Sequence, residues 1–157
     1  MTKTYFITSS AYMHQNLFQR TETVKLLLST IFRHRDNNEF RVHEYVIMPN
    51  HVHMLISLED GHSVSRAVQL IKGGFSHAIG KAGSKLKAVW QPSFYEHRVR
   101  DAEDYARIRL YIHENPVRRF LVEAAELYPY SSARAANLLD EVPETLKPEC
   151  EASLTRA

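Results

Sequence analysis

The stretch Val46-Ile47-Met48-Pro49-Asn50-His51-Val52-His53-Met54-Leu55-Ile56-Ser57-Leu58 decides the fold. After the turn signal Pro49-Asn50, the apolar residues Val52, Met54, Ile56 and Leu58 recur at every second position, the period of a strand with one face turned to a core. Before the turn, Phe40 to Met48 alternates well enough for a partner strand. Two strands joined by so short a turn make an antiparallel hairpin. The alternation sends His51 and His53 together to the face opposite Val52 and its companions.

Outward from the hairpin, Tyr5 to Ser9 reads as a first strand, rich in aromatic and β-branched residues. Thr21 to His34 carries Val24, Leu27, Leu28, Ile31 and Phe32 at helical spacing. Ser63 to Ile79 reads as a second helix on Val64, Ala67, Val68, Ile71 and Phe75, with Gly73-Gly74 as its weak point. Ala88 to Val99 is extended and holds Trp90, Phe94 and Tyr95. Asp101 caps a third helix, with Asp104 placed as a capping-box partner. That helix is expected to run to Asn115 and stop at Pro116. The order βαββαβα predicts an α+β class, an antiparallel sheet flanked by helices. Residues 1–138 form the domain and residues 139–157 an acidic, flexible tail.

The chain has 157 residues, enough for one domain with a single core. Its net charge of +2 hides an asymmetry. Residues 140–157 hold five acids and two bases, which leaves 13 acids and 18 bases in residues 1–139. A basic body suits a polyanion, but charge alone favours the plainer reading of a solvated surface. The start of the chain lacks the apolar run of a secretory signal. The most apolar helical stretch, Val24 to Phe32, is too short to cross a bilayer, so no membrane partner is expected. The single cysteine, Cys150, makes no internal disulfide, and a cytoplasmic location is expected.

Two constellations bear chemistry. His51 and His53 share one strand face about 7 Å apart, and two neutral imidazoles at that spacing can converge on one divalent ion. An isolated His-x-His is also what a half-buried strand shows to water. Tyr111 and Asn115 lie one helical turn apart on one face, beside the apolar stripe of Tyr105, Ile108 and Ile112. A tyrosine there also serves as a core residue, and an Asn before Pro as a helix-end residue.

Taken together the blocks resemble a specific family. Val46 to His53 is similar to the His-hydrophobic-His signature of the HUH transposases. Trp90-Gln91, Tyr95-Glu96-His97 with Arg100-Asp101, and Tyr111-Ile112-His113-Glu114-Asn115-Pro116-Val117 resemble the later blocks of their REP-associated branch. Those are single-tyrosine transposase relatives that act on hairpins of repetitive extragenic palindromes. The resemblance spans roughly residues 5 to 132. It implies a ferredoxin-like HUH-endonuclease palm, with His51, His53 and Asn115 as metal ligands and Tyr111 as nucleophile. It also implies Mg²⁺ or Mn²⁺ as cofactor, single-stranded DNA and DNA hairpins as partners, and a covalent 5′-phosphotyrosine. Related insertion-sequence transposases carry Gln where Asn115 stands.

The chemistry agrees with these assignments. A His/His/Asn set is neutral and leaves an ion its full charge to act on a scissile phosphate. Mn²⁺ accepts such mixed nitrogen and oxygen ligands more readily than Mg²⁺. A phenol of ordinary pKa is ionised in only about one molecule in a thousand at neutral pH, so a tyrosine nucleophile needs help to lose its proton. Arg98, Arg100, Arg118 and Arg119 are candidate phosphate contacts. Trp90 and Tyr95 are candidate stacking platforms for unpaired bases, whereas Phe94 is assigned to the core. Lys72 is a weaker candidate for the metal side. Against cleavage stands a domesticated relative that binds DNA or RNA hairpins as a regulator, and the intact His51, His53, Tyr111 and Asn115 set argues against it. A paired-His phosphoesterase needs a second His-x-His, which the chain lacks. Both a monomer and a homodimer are compatible with the sequence.

Overall fold

In the computed structural model, which describes residues 1–148, four strands form one antiparallel sheet. They are β1 (Lys3–Ser10), β2 (Arg41–Met48), β3 (His51–Leu58) and β4 (Tyr95–Arg98). Their spatial order is β2-β3-β1-β4, the order of a ferredoxin-like sheet. Met48 pairs with His51 across the Pro49-Asn50 turn. The three helices are α1 (Thr21–Asp36), α2 (Val64–Lys81) and α3 (Ala102–Arg118). The element order is the βαββαβα expected from the sequence.

Strand alternation divides the interior into two layers. Val52, Met54, Ile56 and Leu58 of β3 pack with Val24, Leu27 and Ile31 of α1 and Val68, Ile71 and Phe75 of α2. The other face of the sheet offers Phe6, Val46, Met48 and Leu55 to Tyr105, Ile108 and Ile112 of α3. So α1 and α2 cover one face and α3 the other, the face that carries His51 and His53.

A one-residue bulge between Val42 and Glu44 breaks the alternation of β2. Val42 stays in the layer under α1 and α2, while Glu44 is turned to the α3 side. Bulges re-aim side chains in this way. The sequence pattern carries no sign of it.

The Gly73-Gly74 pair does not interrupt α2. At Gly74 a side chain would not fit: its Cβ would lie 2.7 Å from Thr30 Cγ2 and 3.3 Å from Arg33 Nη2 of α1. Gly74 is therefore the point of close approach of the two helices. Thr30 cannot easily turn away, since its hydroxyl donates to Leu26 O at 2.8 Å. At Gly73 nothing lies within 4 Å. Gly74→Ala is expected to destabilise the fold by about 1–3 kcal/mol through overpacking. Gly73→Ala should stabilise it by up to about 1 kcal/mol through helix propensity. Urea unfolding of the two variants checks this pair of opposite signs.

The end of α3 differs from expectation. Pro116 lies inside the helix, which continues to Arg118. The ring removes only the N–H that would reach Ile112, and the last turn is closed by other bonds. Arg119 N donates to Asn115 O at 3.1 Å and Leu121 N to Pro116 O at 2.9 Å. Both Asn115 and Pro116 are buried within this last turn. At the other end, Asp101 caps as expected, accepting from Asp104 N at 2.8 Å. The Asp104 side chain reaches back one residue further than a capping box, to Arg100 N.

Residues 139–148, assigned from sequence to a flexible tail, lie against the body. Asp140 Oδ2 accepts from Val42 N at 2.8 Å, and Leu146 is buried in the layer under α3. The apolar residues Leu139, Val142 and Leu146 between the acids account for this docking. The rest of the assigned tail, with Cys150, lies outside the described residues. Among the described residues no helix is long and apolar enough to cross a membrane.

Candidate active site

His51 and His53 leave β3 on the α3 side, with ring centroids 4.7 Å apart. A neighbouring oxygen orients each ring through Nδ1. His51 Nδ1 donates to Asn50 Oδ1 at 2.6 Å, and His53 Nδ1 shares a 2.7 Å hydrogen bond with Thr8 Oγ1. In both rings Nε2 is then the nitrogen left to bind something else, the arrangement by which second-layer partners fix metal-binding imidazoles. His53 is only 5% exposed, and its Nε2 has no hydrogen-bond partner. A buried polar atom without a partner is rare and calls for a cause.

Tyr111 comes to the same place from α3. Its ring meets His53 at 5.4 Å and Phe6 at 5.9 Å between centroids, edge-on in both cases. Asn115, one turn further along α3, is 3% exposed, and its Oδ1 is also buried without a partner. Among the described residues no three His, Cys, Asp or Glu side chains gather as a metal cage. The orphaned Nε2 of His53 and Oδ1 of Asn115, with the His51 ring alongside, fit a divalent ion of mixed nitrogen and oxygen ligation.

Burial lowers the pKa of both imidazoles, to about 4 for His51 and about 3 for His53. The positive charge of Arg119 depresses both further; His14 adds to the shift of His51, and His51 to that of His53. Both rings are therefore neutral at pH 7, the state in which imidazole binds metal. Both folded values lie below the ordinary 6.5, so the unfolded chain takes up protons that the folded chain refuses. This contribution to stability is complete above about pH 6.5 and is lost as the pH falls toward about 4 for His51 and about 3 for His53. Chelated protein should accordingly unfold at progressively lower urea over that window. His53→Gln should flatten the fall without removing it, because His43 and His51 are depressed as well. An unchanged slope in that variant would show that His53 is not a source of the loss.

Two buried carboxylates hold α3 to the sheet. Glu44 accepts from Arg109 Nε at 2.9 Å and His113 Nε2 at 2.8 Å, and also from the Ser132 hydroxyl. Burial opposes its ionisation, but the hydrogen bonds from His113 and Ser132 outweigh this and lower its pKa. Asp104 accepts from His97 Nε2 at 2.8 Å, tying α3 to β4, and from Arg107 of its own helix at 2.7 Å. Its pKa is likewise held well below the usual range by these bonds, against the opposing effect of burial. Arg109 and His113, one turn apart, straddle Tyr111 in sequence. The Glu44 bridge therefore fixes the rotation of the helix that presents the phenol.

The structure separates the other candidates. Arg118 lies over the Tyr111 ring, its Cζ 5.3 Å from the centroid. Arg119 is close enough to act on both histidines. Tyr95, opposite Thr8 in the sheet, is largely exposed beside Phe6. Arg98 and Arg100 stand elsewhere: Arg98 pairs with Tyr5, about 16 Å along β1 from the His51 end. Arg100 is drawn to Asp104 at 3.7 Å. Trp90 packs on Phe18 and Phe75 and donates its indole N–H to Lys72 O, so one ring face belongs to the core. Phe94 is half-buried against the same layer. Lys72, on α2, donates to Gln91 O and Ser93 O.

Sequence reading missed Thr8, Asn50, His14, Glu44 and His113. His14 lines a cleft with Thr8, Ser10 and Tyr95 and stands at a left-handed φ of 53°. The one available signal was Glu44, an acid inside the apolar run of β2.

Comparison with known proteins shows the family and the fold. A family model described as IS200-like transposase matches residues 3–115. A REP-associated tyrosine transposase of Escherichia coli (strain K12) is 32% identical over 113 residues, which is 71% of this chain and 66% of that protein. A putative REP-associated tyrosine transposase of Haemophilus influenzae is 31% identical over 96 residues, 55% of this chain and 54% of that protein. The chain thus spans between about half and two thirds of the length of these curated relatives. The solved structure of a REP-associated tyrosine transposase bound to a REP hairpin superposes with a TM-score of 0.74 at 28% identity, covering 93% of this chain and 88% of the other. A putative transposase from Deinococcus radiodurans shares the fold, with a TM-score of 0.55 at 24% identity over 73% of this chain and 91% of the other.

Proposed function

The chain belongs to the IS200-like transposase family, and from that premise we propose that it cuts and rejoins single-stranded DNA at or near hairpins, with Tyr111 as nucleophile. The observation that carries the reading is the meeting of Tyr111 with His53, whose Nε2 is buried and unpartnered, one helical turn from the equally unpartnered Asn115 Oδ1. His51, His53 and Asn115 would hold the ion, Mn²⁺ or Mg²⁺. When bound, it supplies double positive charge to the scissile phosphate.

The protein's own groups do the rest. The Tyr111 oxygen forms a bond to phosphorus as the P–O3′ bond breaks. The phenol proton leaves to a base or solvent, and the departing 3′-oxygen takes up a proton. The products are a 5′-phosphotyrosine and a free 3′-OH. The ester energy is conserved, so attack by another 3′-OH rejoins the strand without a nucleotide cofactor. Arg118 and Arg119 hold phosphates beside the phenol, and Tyr95 offers an exposed ring at the edge of the site. The similar transposase that binds a REP hairpin supports a hairpin as the DNA partner.

The test is incubation of the protein and Mn²⁺ with a labelled hairpin bearing single-stranded flanks, followed by a denaturing gel. A covalent adduct is expected. Hairpin binding without any adduct would instead describe a regulator.

A further inference from the structure

Helix α3 ends in a Schellman motif. Phe120 N donates to Val117 O at 3.0 Å and Leu121 N to Pro116 O at 2.9 Å. The motif requires a left-handed residue just past the helix, a place that glycine fills without strain. Here it is Phe120, at φ 58°. A bulky side chain in that conformation is strained. Burial does not compensate: Phe120 is 95% exposed, the most exposed large apolar residue among those described. The ring therefore neither relieves the backbone nor adds to the core.

Its surroundings indicate what it meets. Arg118 and Arg119 precede it directly. The first lies over the nucleophile's ring, and the second has its N–H on Asn115 O. A flat apolar ring thus projects into water beside two cations that border the candidate active site. The complementary partner carries dense negative charge together with exposed flat apolar faces. An unpaired nucleotide strand has both, whereas a duplex hides its base faces in the stack.

We propose that Phe120 stacks on an unpaired base of the DNA strand next to the scissile phosphate, while Arg118 and Arg119 hold the flanking phosphates. This rests on the DNA-cutting reading above, and the experiment separates the two.

Binding is measured by anisotropy with a fluorescein-labelled DNA hairpin carrying a single-stranded flank, and with the same hairpin made blunt. F120G and F120L should bind the flanked hairpin about 5- to 150-fold more weakly, the span of one base–aromatic stack. F120Y should bind it like wild type. All four proteins should bind the blunt hairpin alike. The unfolding midpoint of F120G should stay at or above that of wild type, since glycine suits the backbone there. Wild-type affinity of F120L for the flanked hairpin overturns the stack, and so does an equal loss on the blunt hairpin. A lowered midpoint in F120G overturns it too, by giving the ring a structural role. A wild type that binds neither hairpin overturns the function reading and this proposal with it.

Discussion

Tyr111→Phe should lower covalent DNA–protein adduct formation by on the order of a thousand-fold or more, while hairpin affinity changes less than about twofold. The substitution removes one oxygen and keeps the ring. Edge-on packing against Phe6 and His53 survives, because those contacts involve ring edges and faces and not the hydroxyl. The seating of α3 survives as well, since it rests on the bonds of Glu44 to Arg109 and His113 and of Asp104 to His97, none of which uses the Tyr111 hydroxyl. Loss of chemistry with retained binding is the mark of a nucleophile. Persisting adducts would move that role to Tyr95, which is exposed at the site. Tyr105 is no substitute: it is buried, and burial raises its pKa.

The legible parts of this protein are those where one local pattern has one structural reading. Strict alternation from His51 to Leu58 placed both imidazoles on one face, and helical spacing placed Tyr111 and Asn115 on one edge. What was not legible depends on contacts between elements distant in the chain. The bulge that turns Glu44 toward α3 inserts no unusual residue. Pro116 reads as a helix stop because its ring lacks an N–H, yet the ring is buried and the bonds from Arg119 N and Leu121 N close the last turn despite the loss of one hydrogen bond. Arg98 and Arg100 are near the motifs in sequence, but strand β4 carries them toward the far end of the sheet. The acids after residue 139 read as solvated, whereas the apolar residues spaced among them dock on the body.

Asn115→Asp gives the sharpest test of the metal site, and it reads stability as well as activity. Asn115 Oδ1 is buried and unpartnered, so a carboxylate placed there without metal must either carry a charge out of water or bind a proton. Chelated N115D should therefore unfold several degrees below wild type, in keeping with a loss of about 2–4 kcal/mol. Mn²⁺ should reverse this, because a carboxylate suits a hard cation better than an amide does. The midpoint shift on adding Mn²⁺ should then be larger in N115D than in wild type, by mass action on the folded state. Cleavage should move the other way. The added negative charge offsets part of the ion's field at the phosphate, so the rate at saturating Mn²⁺ should fall by on the order of ten-fold or more. An asparagine that served only the helix end would give a different pattern. N115D would again lose stability, but Mn²⁺ would not restore it, and the Mn²⁺ dependence of cleavage would match that of wild type. Melting curves and cleavage rates across one Mn²⁺ titration, run on both proteins, decide between these outcomes.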